Sequence, residues 1–102
     1  MTTILLLLLT NPYAGNYAGT YRAGFVNPKP ITVTIQDEGT TRMTLSSGLT
    51  LRGDTLPGGT FDVRTQSGWR WQGVWRWQGD ILVGDFQTGN PLQPGRMWIT
   101  RQ

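Results

Sequence analysis

Trp69-Arg70-Trp71-Gln72-Gly73-Val74-Trp75-Arg76-Trp77 contains four of the chain's five tryptophans, and its phrase Trp-Arg-Trp-Gln-Gly recurs from Trp75 to Gly79. In an unbroken strand, side chains alternate between faces with a period of two. Trp69, Trp71, Trp75 and Trp77 then share one face, and Arg70, Gln72, Val74, Arg76 and Gln78 the other. The repeat of six is even and preserves that face. A bulge at Gly73 would turn one tryptophan pair to the opposite side. The reading of Gly73 therefore decides whether these indoles fill a core or form a platform.

The same alternation runs outward from this stretch. Tyr21, Ala23 and Phe25 fall on one face, as do Ile31, Val33 and Ile35, while Met43 and Leu45, Leu49 and Leu51, Phe61 and Val63, and Met97 and Ile99 each skip a residue. Strands with one face buried and one wet belong to antiparallel sheets. Turn signals separate them: Asn27-Pro28-Lys29-Pro30, Asp37-Glu38-Gly39, Ser46-Ser47-Gly48, Pro57-Gly58-Gly59, Gln66-Ser67-Gly68, Gln78-Gly79-Asp80 and Thr88 to Gly95. This spacing predicts an all-β domain, an antiparallel meander barrel of about 7–8 strands. Glycine also stands two residues before an aromatic at Gly15, Gly19, Gly59, Gly73 and Gly84. Glycines permit the bending that closure needs, and nearby aromatics cover the backbone they leave bare.

Residues 19–102 are read as the barrel and residues 1–18 as an apolar N-terminal segment. The run Ile4 to Leu9 is too short to span a membrane as a helix. It fits a strand buried on both faces, a degraded export signal or a short helix, in that order of preference. No Lys or Arg precedes it and no clean cleavage site follows, so a cytoplasmic location is slightly favoured.

Gly19-Thr-Tyr21, the segment Gly73 to Phe86 with its Gln78-Gly79-Asp80 turn, and the closing Gly95-Arg96-Met97-Trp98-Ile99-Thr100-Arg101 resemble small bacterial up-and-down β-barrels of the avidin and lipocalin (calycin) type. The resemblance implies a non-enzymatic fold that holds a ligand in its mouth. No biotin-contacting motif is recognisable, so no binding residues are carried over.

The chain has no cysteine and no histidine, which excludes disulfides, thiolate chemistry and imidazole catalysis. Its carboxylates, Asp37, Glu38, Asp54, Asp62, Asp80 and Asp85, lack the spacing of a calcium loop, so neither a metal nor another cofactor is expected. Nor is an enzyme, because Ser46, Ser47 and Ser67 lie in turns without a base; Asp62 and Asp85 are the one conceivable acid pair, more simply read as partners to arginines. Nine basic residues against six acidic give a net charge of +3, with the arginines at 22, 42, 52, 64, 70, 76, 96 and 101 spread along the chain. The expected function is thus a non-catalytic binding or structural module, with Trp69, Arg70, Trp71, Trp75, Arg76, Trp77 and Trp98 as candidate contacts for a small apolar, aromatic or carbohydrate ligand or for a second copy of the chain. The alternative is a single-stranded nucleic-acid binder that stacks bases on tryptophan beside arginine, against which the even spread of charge counts. A membrane surface is the weakest reading, because the aromatics repeat every two residues and not every three or four.

Overall fold

In the computed structural model the described residues are 11–24, 27–89 and 92–102. The N-terminal run Ile4–Leu9 and Phe25 lie outside them. The described residues form eight strands: β1 (Gly15–Ala23), β2 (Lys29–Ile35), β3 (Thr40–Leu45), β4 (Thr50–Thr55), β5 (Thr60–Arg64), β6 (Arg70–Gln78), β7 (Ile81–Thr88) and β8 (Pro94–Arg101). Each pairs antiparallel with the next, and β8 pairs with β1, which closes the barrel. The meander barrel expected from alternation is the observed fold. Its first strand starts at Gly15, ahead of Gly19, where the sequence reading opens the barrel.

The same turn builds four successive hairpins. Between β3 and β4, Gly48 N–H donates to the Leu45 carbonyl and Leu45 N–H to the Leu49 carbonyl, with Gly48 at φ +93°. A type I turn followed by one left-handed residue gives this three-residue loop, and only glycine adopts that last conformation without strain. Gly39, Gly59 and Gly68 repeat the pattern between β2 and β3, β4 and β5, and β5 and β6. Gly79-Asp80, with glycine first, makes the tighter two-residue turn from β6 to β7.

Strand β6 runs without a bulge. Gly73 sits opposite Phe61 on β5 and Phe86 on β7, and the pairing is continuous from Trp71 to Gln78 on the β7 side. Trp71 and Trp75 therefore both point inward, among Tyr17, Tyr21, Ile31, Val33, Met43, Leu51, Phe61, Val63, Leu82, Phe86, Met97 and Ile99, all buried. Two of the inner glycines, Gly84 and Gly95, have a reason that lies across strands. Gly84 faces Trp75 and Met97, and a methyl group there would sit 2.7 Å from Trp75 Cζ3; one at Gly95 would fall on the Phe86 ring. Each glycine makes room for an aromatic ring from the neighbouring strand, which then shields the bare backbone.

A buried polar string crosses this core. Trp75 Nε1 donates to Thr55 Oγ1 at 3.2 Å, Thr55 and Thr41 hydroxyls lie 2.7 Å apart, and Thr41 Oγ1 donates to the Gly39 carbonyl at 2.9 Å. Because Thr41 spends its proton on Gly39, Thr55 donates to Thr41, and all three side-chain donors are satisfied.

Candidate functional site

The seven residues singled out in sequence separate into three environments. Trp71, with 0% exposure, stacks on Phe86 at 4.3 Å and tilts against Tyr21 at 5.5 Å. Trp75, 4% exposed, lies 4.5 Å from Phe61. Both are core. Trp71 Nε1 is buried with no hydrogen-bond partner among the described residues.

At the barrel ends the same face reaches the surface. Trp77, 40% exposed, closes the end where β1 begins. Tyr13 stacks on it at 6.5 Å with 7° between planes, and the Arg101 guanidinium lies 5.1 Å from its ring centre. The segment Asn11–Ala14 is tied down there: Asn11 Nδ2 donates to the Thr55 carbonyl at 2.8 Å, and the Tyr17 hydroxyl to the Tyr13 carbonyl at 2.7 Å. Trp77 is thus an end cap under an aromatic and cationic cover. Trp69, 39% exposed at the opposite rim, meets Trp71 edge-on at 5.8 Å.

Arg70, Arg76 and Trp98 lie on the outer wall. Trp98 is half-buried, in register with Thr20 on β1 and Val83 on β7, and Val83 is in turn opposite Arg76. Beside this row runs a second: Arg22, Arg96, Asp85 and Val74, from β1, β8, β7 and β6. Between and around them is a groove of about 1010 Å³, to which Arg22, Gln72, Val74, Asp85, Gln87, Arg96 and Trp98 contribute. Its walls combine guanidinium, carboxylate and amide groups with the apolar surface of Val74, Phe86, Pro94 and, at one edge, the Trp98 indole.

Asp85 organises the groove. Arg76 Nε donates to its Oδ2 at 3.2 Å, and Arg96 Nε donates to its Oδ1. Partial burial pushes the Asp85 carboxyl up, but the hydrogen bonds and charges of Arg96 and Arg76 outweigh it and hold the group below the ordinary carboxylate range. Asp62 is likewise held low, chiefly by its hydrogen bonds from Arg70, whose Nε donates to Oδ1 at 2.8 Å. Arg22 has no ion pair among the described residues, which leaves one groove guanidinium uncommitted.

The fold does not bring Asp62 and Asp85 together. Asp62 sits opposite Asp54 on β4, whereas Asp85 pairs with Val74 and Arg96. Among the described residues no three carboxylates gather where a metal ion would be held. Sequence reasoning found Trp98 and Arg76 but missed Arg22, Gln72, Gln87 and Arg96. The signal available was that each occupies an outward position of a strand whose other face is apolar.

No family model, curated protein or solved structure matches the chain.

Proposed function

We propose that the protein is a non-catalytic binding module that takes its ligand on the outer wall, in the groove beside Trp98, and that the ligand is a carbohydrate. The closed eight-stranded meander supports kinship with up-and-down barrels of the avidin and lipocalin type, which we include in the proposal. Those barrels hold ligands in the mouth. Here stacked aromatics occupy the interior and Trp77 with Tyr13 caps one end, so the open surface is outside. The observation that carries the reading is a half-buried outward indole at the edge of a groove in which Arg22, Arg96 and Asp85 come next and Gln72 and Gln87 lie beyond them. A sugar ring has apolar C–H faces that lie on an indole and a hydroxyl rim that seeks planar donors and acceptors. At about 1010 Å³ the groove matches the upper end of ligand-site sizes, ~300–1,000 Å³, and so suits a short oligosaccharide better than one ring. The Trp/Arg hairpin then divides its work: its inner face is core, and its outer face supplies Arg76, Gln72 and Asp85 to the contact surface.

A glycan array identifies the sugar, and two-dimensional NMR of the indole N–H groups locates it. The expected result is a shift of the Trp98 resonance with those of Trp71 and Trp75 unmoved, and at least a tenfold loss of affinity in W98A with an unchanged circular dichroism spectrum. Glycan binding that W98A leaves intact, or no glycan bound at all, overturns the proposal.

A further inference from the structure

Four arginines far apart in the chain form one row on the wall. Arg42 on β3 sits directly opposite Arg52 on β4, Arg52 opposite Arg64 on β5, and Arg64 opposite Arg70 on β6. All four are exposed. Neighbouring strands lie about 4.8 Å apart, so the backbone positions of the row span roughly 14 Å. Only Arg70 is ion-paired, to Asp62; among the described residues Arg42, Arg52 and Arg64 make no ion pair, although the Arg64 charge helps to hold the Asp62 carboxyl low. The charge expected to be spread is therefore gathered.

The two flanks of the row differ. On one side lie Asp54 and Asp62, opposite each other. On the other lie Thr32, Thr44 and Thr50, also in register across β2, β3 and β4. A surface basin opens on this hydroxyl side, bounded by Thr50, Arg52, Arg64, Gln66 and Ser67. An anion seated there meets two guanidinium forks that make no ion pair and several hydroxyl donors while staying on the far side of the row from the acidic pair.

We propose that this row is the track for the phosphodiester backbone of a single-stranded nucleic acid, with phosphates over Arg42, Arg52 and Arg64. The site is separate from the Trp98 groove and does not depend on it. Guanidinium forks match phosphate oxygens two by two, and the row contains arginine only. Trp69, half-exposed at the rim one residue beyond Arg70, offers a ring on which a base carried over that rim stacks.

The test is fluorescence anisotropy of the full chain with labelled oligothymidylate and oligouridylate. Three released counterions on a single strand give a log–log salt slope of about −2, an affinity loss of about 18-fold between 50 and 200 mM salt. In R52Q/R64Q, with one of the three left, the slope falls to about −0.7 and the loss over that range to about threefold. W69A weakens binding, and K29Q, which removes a charge elsewhere, leaves it unchanged. The proposal is overturned if neither oligonucleotide binds at low salt, if K29Q weakens binding as much as R52Q, or if heparin or phosphatidylserine vesicles bind more tightly than the oligonucleotides. Far-UV circular dichroism of each variant establishes that the barrel is folded.

Discussion

Trp75 and Gly84 form a lock whose two halves destabilise separately and compensate together. Trp75 is pinned by its bond to Thr55 Oγ1 and by Phe61 at 4.5 Å, so its ring cannot retreat. In G84A the new methyl would lie 2.7 Å from Cζ3 and 3.0 Å from Cε3 of that ring, with Met97 Cγ at 3.1 Å behind it. Overpacking of this kind costs about 1–3 kcal/mol. W75A empties one of the largest buried volumes and costs about 3–5 kcal/mol. Were the two independent, G84A/W75A would lose about 4–8 kcal/mol, most of the ~5–15 kcal/mol that holds a domain of this size together.

The contact makes them dependent. Once the ring is gone, the methyl enters the vacated space and fills part of it. The double variant is expected to be no less stable than W75A alone, a coupling of about 1–3 kcal/mol. Guanidinium unfolding followed by far-UV circular dichroism measures it, with W75F/G84A as a milder second cycle and equal m-values as the check on two-state behaviour. Additivity within about 0.5 kcal/mol would refute the idea that these glycines exist to admit a ring from the adjacent strand.

T55V removes both the acceptor of Trp75 Nε1–H and a donor to Thr41, and denaturant unfolding should show a loss of about 1–3 kcal/mol, whereas T32V on the outer wall should change little. Asp62 and Asp85 are held below the ordinary aspartate value of about 3.9, so their contribution is present above that pH and is lost as pH falls through the lowered folded-state values; thermal melts should fall on acidification below about pH 4, less in D85N than in the parent chain. Burial raises the Tyr21 hydroxyl above 10.0, so its contribution is present below pH 10 and is lost as pH rises toward the raised value; Y21F should flatten that alkaline limb. Directly opposed like charges destabilise a sheet, so R52T and R64T should raise the melting temperature at low salt, with the gain shrinking as salt is added.

Period-two patterning made the strands and their inner faces readable, because burial on one side is written in every other residue. It carried the central decision as well: Trp71 and Trp75 share the inner face because Gly73 is an ordinary strand position. Alternation gives the face but not the depth. Trp69 and Trp77 share the inward side with Trp71 and Trp75 yet reach solvent, since they lie at opposite ends of the barrel; nothing local to them says so. The arginine row was hidden for a different reason. Arg42 and Arg52 become neighbours only if the Ser46-Ser47-Gly48 turn closes with three residues, and a loop one residue longer would have parted them. Once Gly39, Gly48, Gly59 and Gly68 are recognised as one turn type, the register follows and the row can be read from the sequence. At Gly84 and Gly95 the ring that needs the missing side chain, Trp75 or Phe86, comes from the neighbouring strand, so it too is legible only once the register is known.

The inner tryptophans and the outer charges of β6 depend on each other. A slip of one residue against β5 would drive Trp71 and Trp75 into water and Arg70 and Arg76 into the core, so burying two indoles fixes the register more firmly than any outer contact does. That register is what places Arg70 within reach of Asp62 and Arg76 within reach of Asp85. It also aligns Arg64 with Arg70 at the end of a row that repels itself. Exposed ion pairs contribute little to stability, and opposed arginines subtract from it, so the outer pattern is not what holds the barrel closed. The core can carry that cost because it is aromatic and tightly stacked. A barrel stabilised from within in this way leaves its wall free for recognition, and in the Trp98 groove and the arginine row the wall presents two chemically distinct surfaces on either side of the same strand.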